Sequence, residues 1–239
     1  VLASARDFEG TVSSFSIRGD RRRELERSIA IQKEALATTA ASLRELRRDA
    51  AATLEKRVCA ELADLALPSG RFGVSFTPRQ TGPDGDQSVA FAFAANAGQE
   101  LRDLAQVTSG GELSRVLLAL VIVGKPEAGA LIFDEIDAGI GGATAAAVGV
   151  RLGQLASQHQ VVCVTHLAAL ATWADRHYVL EKREHRGATT IAVVELSRRV
   201  DRAAEVARML SGDARSVALQ HATALLKETS AQRSRRSLS

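Results

Sequence analysis

Ser109-Gly110-Gly111-Glu112 opens an apolar stretch, Leu131-Ile132-Phe133 leads into Asp134-Glu135, and Val161-Val162-Cys163-Val164-Thr165 leads into His166. Glycines let a backbone approach a ligand closely because no Cβ intervenes. The unpaired N–H groups at the start of a helix favour an anion, and the Ser109 hydroxyl adds a donor. The same tetrad is also a capping box, Ser followed three residues later by Glu, which a helix uses for its own stability. The two readings can coexist. Adjacent acids after a buried strand lie at the carboxyl edge of a sheet, where α/β folds bind ligands. One carboxylate there can orient magnesium through its waters, and its neighbour can take a proton from a water attacking a phosphate. The bland alternative is ordinary loop charge. If the two strands are neighbours, His166 stands beside both acids and can bond a phosphate oxygen or place the water; a structural role is the alternative. The remaining histidines, His159, His177, His185 and His221, have no metal-ligand spacing. Taken in order, these residues describe a site for ATP and its magnesium ion.

One component is missing. The sequence has no Gly-x-x-x-x-Gly-Lys-Ser/Thr phosphate loop (Walker A). Gly124-Lys125 is followed by Pro126 and has Ala119 where the first glycine belongs. The residues present amount to half of a nucleotide site. Asp137-Ala138-Gly139-Ile140-Gly141-Gly142 has the look of a dinucleotide loop, but it follows the acids instead of a first strand, and that reading is rejected.

The surrounding pattern supplies elements to hold these residues. From Asp20 to about Leu67 there is no Gly or Pro, and Leu25, Ile29, Leu36, Leu43, Leu46, Ala50, Leu54, Val58, Leu62 and Leu65 form one narrow apolar stripe. A helix from Leu25 to Ala66 spans roughly 60 Å at 1.5 Å per residue, and a stripe so narrow calls for a partner helix, as in a coiled coil. Pro68-Ser69-Gly70 ends it. Phe72, Val74 and Phe76, then Val89, Phe91 and Phe93, alternate as in an antiparallel strand pair joined from Thr77 to Ser88. Glu112 to Val123 reads as an apolar helix closed by Gly124 and Pro126. Ala130 to Phe133 and Val161 to Val164 suit strands covered on both faces, and the helical segment Ala143 to Ser157 between them makes the pair parallel. His177 to Glu181 and Thr190 to Leu196 read as strands joined through Arg186-Gly187, before helices at Val200 to Leu210 and Ala214 to Lys227 separated by Gly212.

Composition narrows the class. A hydrophobic content of 46% over 239 residues supports a folded core, while aromatics at 4% indicate helices packed through small residues. A net charge of +3 says little about partners. Cys59 and Cys163 show no metal spacing, which fits a reduced, cytoplasmic protein. No apolar run long enough for a membrane span occurs. The start, Val1-Leu2-Ala3-Ser4, has neither an initiator Met nor a signal-peptide pattern, so the chain is expected to begin inside a longer protein.

The ordered set resembles the second half of an ABC-type ATPase head, and the coil ahead of it is similar to the SMC-like branch, where a long antiparallel coiled coil splits the head into two lobes. The likeness is closer still to the RecN family of bacterial DNA repair proteins. It is carried by residues 106–115, 131–140, 162–167, 207–212 and the coil-to-strand stretch Glu61 to Phe76, within a span from about Asp20 to Lys227. The resemblance implies an α/β fold: the carboxy-terminal lobe of an ABC/SMC-type ATPase head, a parallel sheet with flanking helices, preceded by a long coiled-coil helix. It implies that Ser109, Gly110 and Gly111, with Glu112 after them, form the signature loop, which contacts the γ-phosphate of ATP held by the opposing head. Asp134 would be the magnesium-associated acid, through water, and Glu135 the catalytic base. Asp137 would lie in a loop crossing the dimer boundary, and His166 would be the switch histidine. Two heads would clamp two ATP molecules in a homodimer, and the cycle would act on DNA ends in double-strand break repair, in the cytoplasm at the nucleoid.

The expected domains are a coiled-coil arm over 1–67, irregular before about residue 20 because of Gly10 and Gly19, a head lobe over 68–228, and a basic flexible tail over 229–239. The phosphate loop would belong to an amino-terminal lobe, so the chain alone is expected to be an inactive carboxy-terminal fragment. A transporter ATPase subunit is disfavoured, because the 108 residues before Ser109 read as coil and hairpin. Two alternatives remain: another SMC-like ATPase, of the chromosome-organising or nuclease-associated kind, and a non-catalytic coiled-coil scaffold. Arg21-Arg22-Arg23 and Arg44, Arg47 and Arg48 interleave with Glu24, Glu26, Glu45 and Asp49, which reads as a solvated face and not a DNA surface.

Overall fold

A computed structural model of the chain describes the backbone of residues 2–107, 109–125, 127, 129–185, 188–212 and 216–236, with side chains for all of these except 2–18, 183–185, 188, 216 and 234–236. Thr108, Pro126, Arg186, Gly187 and Ala214, named above, lie outside the described residues. The chain divides into two units, residues 1–53 with 75–90, and residues 54–74 with 91–239.

The first unit is dominated by helix α1, Leu2–Asp64. Alanine, leucine, arginine and glutamate are strong helix formers, and Arg21 pairs with Glu24, Arg22 with Glu26 and Arg48 with Glu45 along its solvated face. The helix runs without a break through Gly10 and Gly19, where irregular backbone was expected. One glycine costs only about 1 kcal/mol relative to alanine in a helix interior, and the long flanking runs absorb it. Leu25, Ile29, Leu36 and Leu46 of the predicted stripe are exposed. Strand β1, Arg71–Gly82, and strand β2, Gly85–Ala94, are sheet neighbours with a connection of only two residues, so the hairpin is tighter than the link from Thr77 to Ser88 predicted. Its tip folds onto α1: Arg44 pairs with Asp86. Gly85 sits at φ +87°, with a Cβ there only 2.8 Å from Leu43 Cδ2. Glycine alone satisfies both the backbone angle and the contact.

The second unit begins inside α1. Val58 and Leu62, with Leu65 just past the helix end, are fully buried in the main core, so residues 54–67 pack within the second unit. Ala66 at φ 61° turns the chain out of the helix. The base of the hairpin joins this core through Phe72 and Phe93, and the Phe72 and Phe91 rings lie 5.5 Å apart. A short strand β3, Arg102–Asp103, pairs antiparallel with β2, and a 3-10 turn over Leu104–Gln106 follows. Helix α2, Gly110–Gly124, buries Val116, Leu118 and Ala119. Strand β4, Ala130–Phe133, helix α3, Gly142–Leu155, and strand β5, Gln160–Cys163, form the predicted parallel unit, in register from Ala130↔Gln160 to Phe133↔Cys163.

These two strands are not covered on both faces as expected. Phe133 is buried, yet Ile132 is 74% exposed and Val162 and Val164 are exposed too. Continuous apolar sequence tells that a strand seeks cover on two sides, but not whether the same chain supplies both layers. Beyond helix α4, Ala168–Ala171, strands β6, Tyr178–His185, and β7, Ala188–Glu195, form an antiparallel ladder. Helix α5, Arg199–Ser211, ends at Gly212 with φ 80°. Helix α6, Ser216–Arg236, then packs with α4 and α5 through Ala168, Val206, Ala207 and Ala222.

Residues 229–236 of the expected flexible tail are instead the end of α6, and residues 237–239 lie outside the described residues. Thr229 Oγ1 donates to Thr172 O at 3.1 Å, and Arg233 reaches Trp173 O at 3.1 Å and Asp175 at 2.5 Å. Thr229 and Arg233 stand one turn apart on a single helix face, where together they satisfy carbonyls at the end of α4. The architecture is α/β, a parallel strand–helix–strand unit with flanking helices behind a long leading helix.

Candidate functional site

The amino end of α2, the loop after β4 and the loop after β5 meet at the carboxyl edge of the two parallel strands. Register makes the first connection. Phe133 stands opposite Cys163, and Val164 N–H donates to Phe133 O at 3.0 Å, so residues 134–138 and 165–166 leave the sheet side by side. The second connection comes from α2. Ser114 Oγ donates to Asp134 O at 2.9 Å, and Arg115 donates to Ala138 O at 3.1 Å.

Ser109 caps α2, its Oγ accepting from Glu112 N–H at 3.4 Å, as the capping reading expected. The glycines have a packing duty besides. A Cβ at Gly110 would lie 2.5 Å from Glu135 Oε2, and one at Gly111 would lie 2.5 Å from Ala138 O. At Gly111 the helix start can therefore meet the acidic loop only with bare backbone, while at Gly110 an added carbon would have to displace the Glu135 side chain. Ser109 and Gly110 remain exposed, while Gly111 is buried.

Asp134 and Glu135 are both exposed at the strand end. Asp134 Oδ1 accepts from Glu135 N–H at 2.9 Å, and Glu135 O accepts from Ala138 N–H at 3.1 Å. Those bonds hold Glu135 at φ 55°, a left-handed conformation that costs a non-glycine residue energy and aims its side chain back toward Gly110.

Asp137, expected in a loop crossing a subunit boundary, has a carboxylate that is only 4% exposed and turns inward. Its Oδ2 accepts from Thr165 Oγ1 at 2.5 Å and from His166 N–H at 2.9 Å, and His166 Nδ1 lies 3.1 Å away. A buried carboxylate needs such donors, and the β5 loop provides them. His166 itself is 74% exposed.

Sequence reasoning overlooked Ser114, Arg115 and Thr165. Arg115 carried a signal: a guanidinium inside an apolar helix must find acceptors, and here it is buried against the 138 carbonyl. Burial lowers its hold on the proton, opposed by the Glu112 charge. The Cys163 thiol is pushed up to about 11, mainly by burial and then by the charges of Asp137 and Asp134. At the end of β5 the two carboxylate charges thus act in the same direction as burial. Among the described residues, no group of three or more His, Cys, Asp or Glu side chains gathers as a metal cluster, and no helix is long and apolar enough to cross a membrane.

No protein-family model matches the sequence. The chain is 46% identical over 202 residues to the DNA repair protein RecN of Treponema pallidum (strain Nichols), covering 79% of this chain and 35% of that protein. It is 37% identical over 235 residues to RecN of Mycobacterium leprae (strain TN), covering 89% of this chain and 40% of the relative. The match to RecN of Deinococcus radiodurans is 43% over 168 residues, 70% of this chain and 30% of that one. The chain therefore spans well under half the length of these relatives. Among solved structures, an Smc head domain with a coiled coil and joint from Pyrococcus yayanosii is 20% identical with a TM-score of 0.46, over 77% of this chain and 30% of that one. An SmcHead bound to the C-winged helix domain of ScpA is 18% identical with a TM-score of 0.44, over 64% and 46%.

Proposed function

Because this chain belongs to the RecN family, we propose that it forms the carboxy-terminal part of an SMC-like ATPase head acting in DNA double-strand break repair. The observation that carries the reading is the meeting of three loops, those holding Ser109–Gly111, Asp134–Glu135 and His166, at one strand edge.

In this reading Ser109, Gly110 and Gly111 face the γ-phosphate of ATP held by an opposing head, and the Ser109 hydroxyl and free N–H groups of α2 neutralise it. Asp134 would hold magnesium through water, and the ion would supply electrostatic stabilisation of the phosphate charge. Glu135 takes the proton of the attacking water as its oxygen bonds to the γ-phosphorus and the bond to the bridging oxygen of ADP breaks. His166 offers a ring nitrogen to the same phosphate or water. The phosphate loop would come from an amino-terminal lobe, two heads would close as a homodimer around ATP, and DNA ends would be the partner, in the cytoplasm at the nucleoid.

The test is ATP turnover by the chain alone and after reconstitution with the amino-terminal lobe of a RecN-family protein. The chain alone is expected to be silent. The reconstituted head should turn over ATP and lose about 10²-fold or more on Glu135→Gln, the scale of a general base. Turnover by the chain alone, or a Glu135→Gln head as fast as its parent, contradicts the reading; the second outcome would favour a scaffold.

A further inference from the structure

Asp137 and His166 differ sharply in exposure, 4% against 74%, although Asp137 Oδ2 and His166 Nδ1 are 3.1 Å apart. The ring thus lies beside a buried carboxylate while its own side chain is largely exposed. What that carboxylate does follows from the donors around it. Thr165 Oγ1 accepts from Leu167 N–H at 3.0 Å and donates its proton to Asp137 Oδ2 at 2.5 Å. The His166 backbone N–H donates to the same oxygen at 2.9 Å. Two donors from the β5 loop thus fix Oδ2 in place before the ring is considered. A ring nitrogen at that distance bearing a lone pair would set two acceptors against each other beside a buried carboxylate. A ring nitrogen bearing a proton would donate.

We propose that Asp137 is a positioning residue that holds His166 with its proton on Nδ1 and leaves Nε2 as the working nitrogen. The orienting group beside an imidazole decides which nitrogen keeps the proton, and a wrong tautomer disables the opposite edge. With Nδ1–H bound to Asp137, the neutral ring presents Nε2 as an acceptor for a water proton. The protonated ring presents Nε2–H as a donor to a phosphate oxygen. Either contact uses the Nε2 edge of a side chain that is largely exposed. The proposal rests on the reading of His166 given above.

The test is imidazole nitrogen NMR of the ligand-free 239-residue chain, with the ring neutral. The parent chain should show His166 Nδ1 as a protonated, pyrrole-type nitrogen and Nε2 as a bare, pyridine-type one. Asp137→Asn keeps an oxygen in place and should preserve that pattern. Asp137→Ala removes the acceptor and should move most of the signal to the Nε2–H form. A parent ring with its proton on Nε2, an Asn variant that flips, or an Ala variant unchanged from the parent would each overturn the proposal. Should the Ala variant fail to fold, the parent and Asn spectra decide alone. No nucleotide is present, so a failure here leaves the ATP reading to the Glu135→Gln experiment, and a failure there leaves the tautomer standing.

Discussion

Gly110 and Gly111 appear equivalent in the sequence, and their surroundings separate them. A Cβ at Gly110 meets the far end of the Glu135 side chain, which can swing away; a Cβ at Gly111 meets the Ala138 carbonyl, which is backbone. Gly111→Ala should therefore cost about 1–3 kcal/mol, the range for forcing an extra carbon into a packed place, and Gly110→Ala clearly less, measured by urea unfolding. At Gly110 the loss should show instead in turnover of the reconstituted head, because the displaced group is Glu135. Cys163 gives a second test at this scale. Its thiol is raised to about 11, so almost none is thiolate at pH 8, and alkylation there should be slow and speed up as pH approaches that value.

Helix α1 carries two different jobs along its length, and its last turns are where stability lies. Leu62 is fully buried, so Leu62→Ala should cost about 2–5 kcal/mol by lost burial and the cavity left behind. Leu46, in the same stripe, is exposed, and Leu46→Ala should change stability by less than about 0.5 kcal/mol. Arg151 of α3 reaches Glu61 at 3.1 Å and also pairs with Asp64, tying α3 to the end of α1. His177, just ahead of β6, makes a prediction about pH. Burial, and then the charge of Arg202, hold it below the ordinary histidine value near 6.5. The folded chain then binds that proton less tightly than the unfolded one. This contribution is complete above the ordinary value and is lost as pH falls through it, so the midpoint of thermal unfolding should drop between pH 7 and 5. His177→Gln should flatten that drop, and an equal slope in both proteins would refute the assignment.

On the scale of the whole chain, the notable feature is apolar surface left open on two small sheets. Ile132, Val162 and Val164 are exposed on the parallel pair, and Leu180, Ile191 and Val193 on the antiparallel one. Two-stranded sheets are marginal without a covering layer, and contiguous exposed apolar area promotes association. The chain alone should scatter light increasingly with concentration, and the double variant Ile132→Lys with Val164→Lys should suppress this without altering the helical signal in circular dichroism. Association that persists unchanged in the double variant would place the contact elsewhere.

The sequence alone determined the main helices and strands and the order of the site residues, but not the short elements β3 and α4. Periodicity separates long helix from strand, and a strand of four or five apolar residues ending in Asp134-Glu135 or Thr165-His166 puts those side chains at a sheet edge, because strand geometry fixes where the run ends. It also gave α2 its start, through the local bond of Ser109 to its own helix. It did not determine which carboxylates face outward. Asp134, Glu135 and Asp137 lie within four residues of one another, yet two are exposed and the third is buried against Thr165 and His166, about 28 residues further on. Nor did it show that α6 continues past Lys227, since Thr229 and Arg233 are held by carbonyls more than 50 residues away. Local pattern encodes periodicity and caps; the partner that satisfies a buried charge or a helix end is chosen by contacts between distant segments, and only the folded chain contains them.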